Sequence, residues 1–273
     1  MFSRVVQRCF AQQIVVPRFF VSSVSHERYT STMSRWKKFD GERSSKKRTD
    51  GERITRKRTD HQGRNGEILK RITEVKHVEE SRRVVEQLLK EGLPIAVDME
   101  GITTGVTGLI QIRDVHGNFS FFRPRKNPAL YQEGGLAKLL ESPHVLKILH
   151  ASTGDAASVY RDGVKMWGVY DTEVAHRVLE FQTNGASLTN VQSIGLNALC
   201  AYCGIESNPL KGKIKFNPWN PKNENEDKGV MSDEFMLYCA WDVEQLHEIH
   251  QILRYLNWIS SRISFLIVTC SVL

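Results

Sequence analysis

From about Ile72 the spacing of apolar residues along the chain becomes that of an α/β domain. The period of 3.6 predicts a polar amphipathic helix over Ser81 to Lys90 that stops at Glu91-Gly92. Directly after it, LPIAVDME reads as a buried strand ending in acids. LIQIRD and FSFFR follow as two further strands, set off by Gly108 and by the turn signal His116-Gly117-Asn118. A helix around GGLAKLLES leads to the strand VLKILH, then to a helix after Gly154, a short strand at WGVYD and a helix over Thr172 to Phe181. Beyond it the pattern is helical through SLTNVQSIGLNALCAYCG. A loop rich in Asn, Pro and Lys separates that stretch from a long helix starting near Met231.

Three strands with short connections predict an antiparallel meander, and the β-α-β alternation that follows predicts parallel strands added to it. The expected fold is α/β, a mixed five-stranded sheet flanked by helices. In such a sheet, acids at strand ends and helix starts converge on one edge, where a site is expected.

Charge divides the chain in a different way. Residues 1–72 hold 18 Lys and Arg against 7 Asp and Glu, while the remainder holds 20 against 24. The basic character therefore belongs to the N-terminal part, and whole-chain charge says nothing about what the folded part binds. The first residues, MFSRVVQRCFAQQIVVPRFFVSSVSH, carry Arg4, Arg8 and Arg18, several Ser and no acid before Glu27. This composition predicts a mitochondrial targeting presequence over 1–32; a start at Met33 would instead predict a nuclear or cytoplasmic protein. Residues 33–71 are expected to be a basic disordered linker, because the decapeptide repeat DGERSSKKRT and DGERITRKRT can bury nothing. That arm is open to three uses: solvated spacer, nuclear signal or phosphate-binding and partner-recruiting segment. The apolar end ISFLIVTCSVL, within the tail 258–273, is too short to span a bilayer and reads as an extra strand or a packed tail, so no stable membrane insertion is expected. Cys9, Cys200, Cys203, Cys239 and Cys270 form no disulfide framework, and Cys200 and Cys203 read as buried helix thiols rather than half a zinc site.

The acids carry the chemistry. Asp98 and Glu100 alternate with Met99, so both carboxylates leave one face of a strand otherwise made of Ile, Ala and Val. Desolvating two acids together is costly, and metal cations are the usual remedy. Asp155, in LHASTGD, stands at a helix start, where the helix dipole alone would also favour an acid. In EFMLYCAWDVEQL, Phe235, Ala240, Val243 and Leu246 take core positions, while Tyr238 and Asp242 lie four apart on one side of the same helix. Read alone, that pair is a boundary aromatic and a surface acid. Read with the other acids, it completes a cluster.

These pieces resemble the DEDD superfamily of 3′-5′ exonucleases on the ribonuclease H-like fold, in its tyrosine-bearing branch with ribonuclease D and Werner-type exonuclease domains. PIAVDMEG matches the first motif, VLKILHASTGD with VYDTEVAHRVL the second, and MLYCAWDVEQL the third. The resemblance covers roughly residues 75–255, within an expected domain of 72–257, and is nearest to the Egalitarian-type group. It implies that Asp98 bridges two divalent cations, Mg²⁺ or Mn²⁺, that Glu100 and Asp242 complete the first site, and that Asp155 holds the second, partly through water. Tyr238 is implied to orient the attacking water. The implied activity is hydrolysis from the 3′ end of single-stranded nucleic acid, RNA favoured over DNA. The Egalitarian-type neighbourhood implies an alternative, a catalytically silent RNA-binding adaptor. Where relatives carry a Trp and then Arg-Pro-Leu before the last helix, this chain has Trp219 followed by a longer acidic loop over 220–233. Lys211, Lys213 and Lys215, alternating just ahead of it, are candidates for substrate phosphates or for a solvated loop.

Overall fold

The computed structural model describes residues 63–102, 106–185, 187–213 and 231–270, without the side chains of 262–270. The presequence, the decapeptide repeat, Lys215, Trp219 and the loop 220–230 lie outside the described residues. The sheet has six strands rather than the expected five: β1 (Ile72–Val75), β2 (Ile95–Glu100), β3 (Leu109–Arg113), β4 (Phe119–Phe122), β5 (Lys147–Leu149) and β6 (Val169–Asp171), in the order β1-β4-β3-β2-β5-β6. β2, β3 and β4 form the antiparallel meander, and β5 and β6 extend it in parallel from β2. The additional strand, β1, pairs in parallel with β4 at the sheet edge. Its sequence ITEV hides only Val75 fully, so four residues with one inward position give little periodicity to read.

Helices cover both faces. α1 (Val78–Glu91) buries Ser81, Val85 and Leu88 along one stripe. It ends at Gly92, whose left-handed φ of 62° lets its N–H reach the Leu88 carbonyl. α2 (Ala129–Gln132), α3 (Leu136–Glu141) and α4 (Thr153–Arg161) follow. With α1 they pack on the face that carries Ile95, Val97, Met99, Ile110, Ile112 and Phe122. Ala96, Leu109, Phe119, Phe121 and Ile148 point the other way, toward α5 (Thr172–Asn184), α6 (Leu196–Tyr202), α7 (Asp233–Glu244) and α8 (Leu246–Cys270). Each fully buried Phe of β4 contributes roughly 1.5–3 kcal/mol by leaving water.

Three local expectations change. Residues 63–70, assigned to a disordered linker, are helical, and Ile68 within them is fully buried. An apolar residue with a core to enter orders a segment that charge alone would leave solvated. The helix expected through SLTNVQSIGLNALCAYCG is confined to α6 with Gly195 as its N-cap, and the preceding Ile194 carbonyl is engaged by His150 instead. The long C-terminal helix is two: α7 starts at the Ser232 cap, whose side chain accepts from the Phe235 N–H, and α8 carries the backbone through the apolar run to Cys270 as helix, not strand. No helix among the described residues is long and apolar enough to cross a membrane. Cys200 and Cys203 are buried free thiols at the end of α6, each pushed up to about 12 by burial.

Candidate active site

Strand alternation decides where the first two acids go. Asp98 and Glu100 continue the face of Ala96, the one that meets α7, while Met99 enters the opposite core. Asp98 pairs across the ladder with Gln111 of β3, and the fully buried Gln111 amide donates to Asp98 Oδ2 at 2.6 Å. That bond fixes one carboxylate oxygen.

α7 packs against β2 and β3 and delivers Asp242, 3% exposed, to the same edge. Asn208, in the connection after α6, donates to Asp242 Oδ1 at 2.9 Å and to the Tyr238 carbonyl at 3.2 Å. Asn208 is itself fixed by Asn197 of α6, which takes its N–H and donates to its carbonyl. Lys211 donates to the other Asp242 oxygen at 2.8 Å and lies 4.9 Å from the Tyr238 ring centroid. Tyr238 stands one turn before Asp242 on the same helix, stacked on Phe235.

Asp155 comes from the first turn of α4 and is buried. The approach to α4 is held by Asp171, whose carboxylate accepts from the Ala151 N–H, the Ser152 N–H and hydroxyl, and the N–H groups of Glu173 and Val174. Those bonds hold Asp171 below the usual carboxylate range despite its burial. They also hold Ala151 at φ 55°, a left-handed conformation that costs a residue with a Cβ about 1 kcal/mol. His150 is tied down beside it, Nδ1 at 3.0 Å from the Thr172 hydroxyl and Nε2 at 2.9 Å from the Ile194 carbonyl.

Asp98, Glu100 and Asp242 each offer a carboxylate oxygen, and all three atoms lie within 4.8 Å of one another. Burial, then Asp155, Asp242 and Glu100, push the Asp98 carboxyl well above its ordinary range. Burial, then Asp242, raises Glu100 to about 7, and burial, then Glu100 and Asp171, raises Asp155 to about 7. Desolvation would lower Lys211, but Asp242 outweighs it and holds the ammonium above its ordinary value. Such a set of acids strongly favours a bound cation. Its donors are all carboxylate oxygens, which suit a hard divalent ion such as Mg²⁺ or Mn²⁺ and not the sulfur and nitrogen preferences of zinc.

Of the residues singled out in the sequence, Asp98, Glu100, Asp155, Tyr238 and Asp242 meet at one edge. Lys211 joins them through Asp242, Lys213 is exposed on the same turn, and Lys215 lies outside the described residues. Gln111, Asn208 and Asp171 were not anticipated. Gln111 carries a signal in the sequence, a polar residue within the apolar strand LIQIR, whereas Asn208 sits in a connection with no pattern and gains its role only by folding back on α7.

A mixed sheet with carboxylates converging from β2, α4 and α7 defines an α/β nuclease fold of the ribonuclease H-like kind. The chain belongs to the 3′-5′ exonuclease family, whose pattern residues 72–256 match. No curated protein matches it. Among solved structures, ribonuclease D of Trypanosoma brucei in complex with GMP is 17% identical with a TM-score of 0.55, over 71% of this chain and 64% of that one. The same enzyme with RNA U12 is 19% identical with a TM-score of 0.54, over 70% and 65%. A protein from Bifidobacterium adolescentis is 17% identical with a TM-score of 0.52, over 70% and 42%. The chain thus spans slightly less than two thirds of the ribonuclease D chains in these two complexes, and these likenesses describe the fold.

Proposed function

We propose that this protein is a divalent-metal-dependent 3′-5′ exonuclease that shortens single-stranded nucleic acid from its 3′ end, acting on RNA ahead of DNA. The observation that carries this reading is the meeting of Asp98, Glu100 and Asp242 within 4.8 Å, with Tyr238 one turn from Asp242. Asp98, Glu100 and Asp242 would hold one cation, and Asp98 with Asp155 a second. When bound, the pair supplies charge stabilisation to the entering and leaving oxygens of a phosphodiester.

The chain's own groups do the positioning. Gln111 and Asn208 lock the rotamers of Asp98 and Asp242, so the donor set is arranged before substrate arrives. Tyr238, raised above its ordinary value by burial and by Asp242, keeps its proton at neutral pH and can both accept from and donate to the attacking water. Lys211, which keeps its charge, would contact a substrate phosphate, with Lys213 on the same turn. RNA comes first because a ribonuclease D of the same fold has been solved with RNA U12. We also propose mitochondrial import, supported by the basic, acid-free first 26 residues. A reporter fused to residues 1–32 tests it, and a nuclear or cytoplasmic signal would favour the start at Met33.

The test of activity is digestion of 5′-labelled single-stranded RNA and DNA by the full chain, with Mg²⁺, Mn²⁺ or chelator, beside Asp98→Asn. A metal-dependent ladder shortening from the 3′ end, lost in the variant, is expected. Tight binding with no cleavage under any ion would replace the enzyme with a silent adaptor.

A further inference from the structure

The segment just upstream of the family match reaches the helix that carries Tyr238 and Asp242. Within the helical residues 63–70, Asn65 Oδ1 accepts a hydrogen bond from the indole Nε1 of Trp241 at 2.9 Å. The Arg64 guanidinium lies 4.6 Å from the Trp241 ring centroid, and its nitrogens pair with Glu244 at 3.1 Å and with Glu206. Trp241 is fully buried and is the neighbour of Asp242 in the chain. Glu244 spends its second oxygen on Arg113 of β3, at 2.7 Å, and Arg113 stands two residues from Gln111, the donor to Asp98. Glu206 belongs to the connection that also holds Asn208.

We infer that Arg64 and Asn65 are positioning residues for the site: they fix the rotation and register of α7 on the sheet, and through it the places of Asp242 and Tyr238 opposite Asp98 and Glu100. The inference rests on the exonuclease reading for its consequence in catalysis, and on geometry for its consequence in ion binding. A helix laid across a sheet can turn or slide by small amounts while keeping its apolar contacts, because burial is non-directional. Directional bonds remove that freedom. The indole N–H has one direction in which to donate, and Asn65 stands there. At the C-terminal end of α7, Glu244 is gripped from two sides, by Arg64 from the upstream helix and by Arg113 from the sheet, so a turn of α7 would break one grip or the other. The planar fork of Arg64 also joins α7 to the Asn208 connection, the other support of Asp242. Groups hydrogen-bonded directly to metal ligands typically change metal affinity about 10–100-fold when removed, and Arg64 and Asn65 act one contact further out, through Trp241, Glu244 and Glu206.

The experiment uses the full chain with Arg64→Met, Asn65→Leu and the conservative Asn65→Asp, which keeps an oxygen acceptor for the indole. Three quantities are measured: Mn²⁺ affinity by calorimetry, amide exchange of residues 233–244 against β2–β4, and kcat and KM on the RNA ladder substrate. Arg64→Met and Asn65→Leu should weaken Mn²⁺ binding severalfold, up to about 10-fold, and speed exchange in α7 while leaving the strands protected. They should lower kcat more than they raise KM, and Asn65→Asp should stay near wild type in all three. If wild type binds Mn²⁺ but cleaves nothing, the exonuclease reading falls while affinity and exchange still decide this one. Wild-type Mn²⁺ affinity and α7 exchange in both disruptive variants, with only the melting temperature lowered, would overturn it. Should Asn65→Leu fail to fold, Arg64→Met set against Asn65→Asp makes the same comparison.

Discussion

Replacing Glu100 by Gln should make the ion-free protein more stable while removing most of what a divalent ion adds to it. Glu100 stands among Asp98, Asp155 and Asp242 and is raised from 4.5 to about 7, chiefly by burial and then by Asp242. A carboxyl whose folded value lies above its unfolded value destabilises the fold once it must ionise: the penalty is absent below about pH 4.5, grows with rising pH, and is complete above about pH 7. A gap of this size, in which the partial offset by Lys211 is already included, corresponds to about 3 kcal/mol at pH 8. With roughly 2–4 °C of melting temperature per kcal/mol for a domain of this size, Glu100→Gln in chelator should melt several degrees above wild type at pH 8 and about level with it at about pH 4. Mn²⁺ at about a hundred times its Kd should then raise wild type by about 2.7 kcal/mol, and the variant by much less. Thermal melts across pH, with and without Mn²⁺, measure all of this. A variant that melts below wild type in chelator at pH 8, or that gains as much from Mn²⁺, would show that these acids are not a strained cluster awaiting a cation.

Tyr238→Phe should lower kcat by about 10²-fold and leave Mn²⁺ affinity within about a factor of two, since a phenol held above its ordinary value stays protonated and is a poor ligand beside three carboxylates; calorimetry beside single-turnover cleavage separates the two. Ala151→Gly should raise stability by about 1 kcal/mol with unchanged cleavage, because it relieves the left-handed φ of 55° without touching a bond to Asp171; a lower melting temperature would contradict the strain. His250 is lowered to about 4 by burial and then by Arg254 and His247, so its unfolded form binds a proton first and stability is lost as pH falls from about 6.5 toward 4. His250→Phe should therefore gain on wild type by about 2 kcal/mol between pH 7 and pH 5, read as the difference between their melting curves, and a pH-independent difference would refute the assignment.

Much of this protein is determined by local sequence. Alternation in IAVDME decides that Asp98 and Glu100 share a face, because the strand period allows nothing else. The four-residue spacing of Tyr238 and Asp242 does the same on α7, and the order of strands and helices implies the meander with parallel additions. Other features are invisible at that level. β1 is too short to show a period, and the ordering of 63–70 depends on Ile68 and Asn65 finding a core and an indole, Trp241, far along the chain. Gln111 on Asp98, Asn208 on Asp242 and the three bonds from Ala151 and Ser152 into Asp171 join residues whose separation carries no pattern, whereas the two from Glu173 and Val174 are local N-cap bonds. Periodicity records which side of an element meets the core. Hydrogen bonds between elements depend on where those elements come to rest, and only the packed fold sets that.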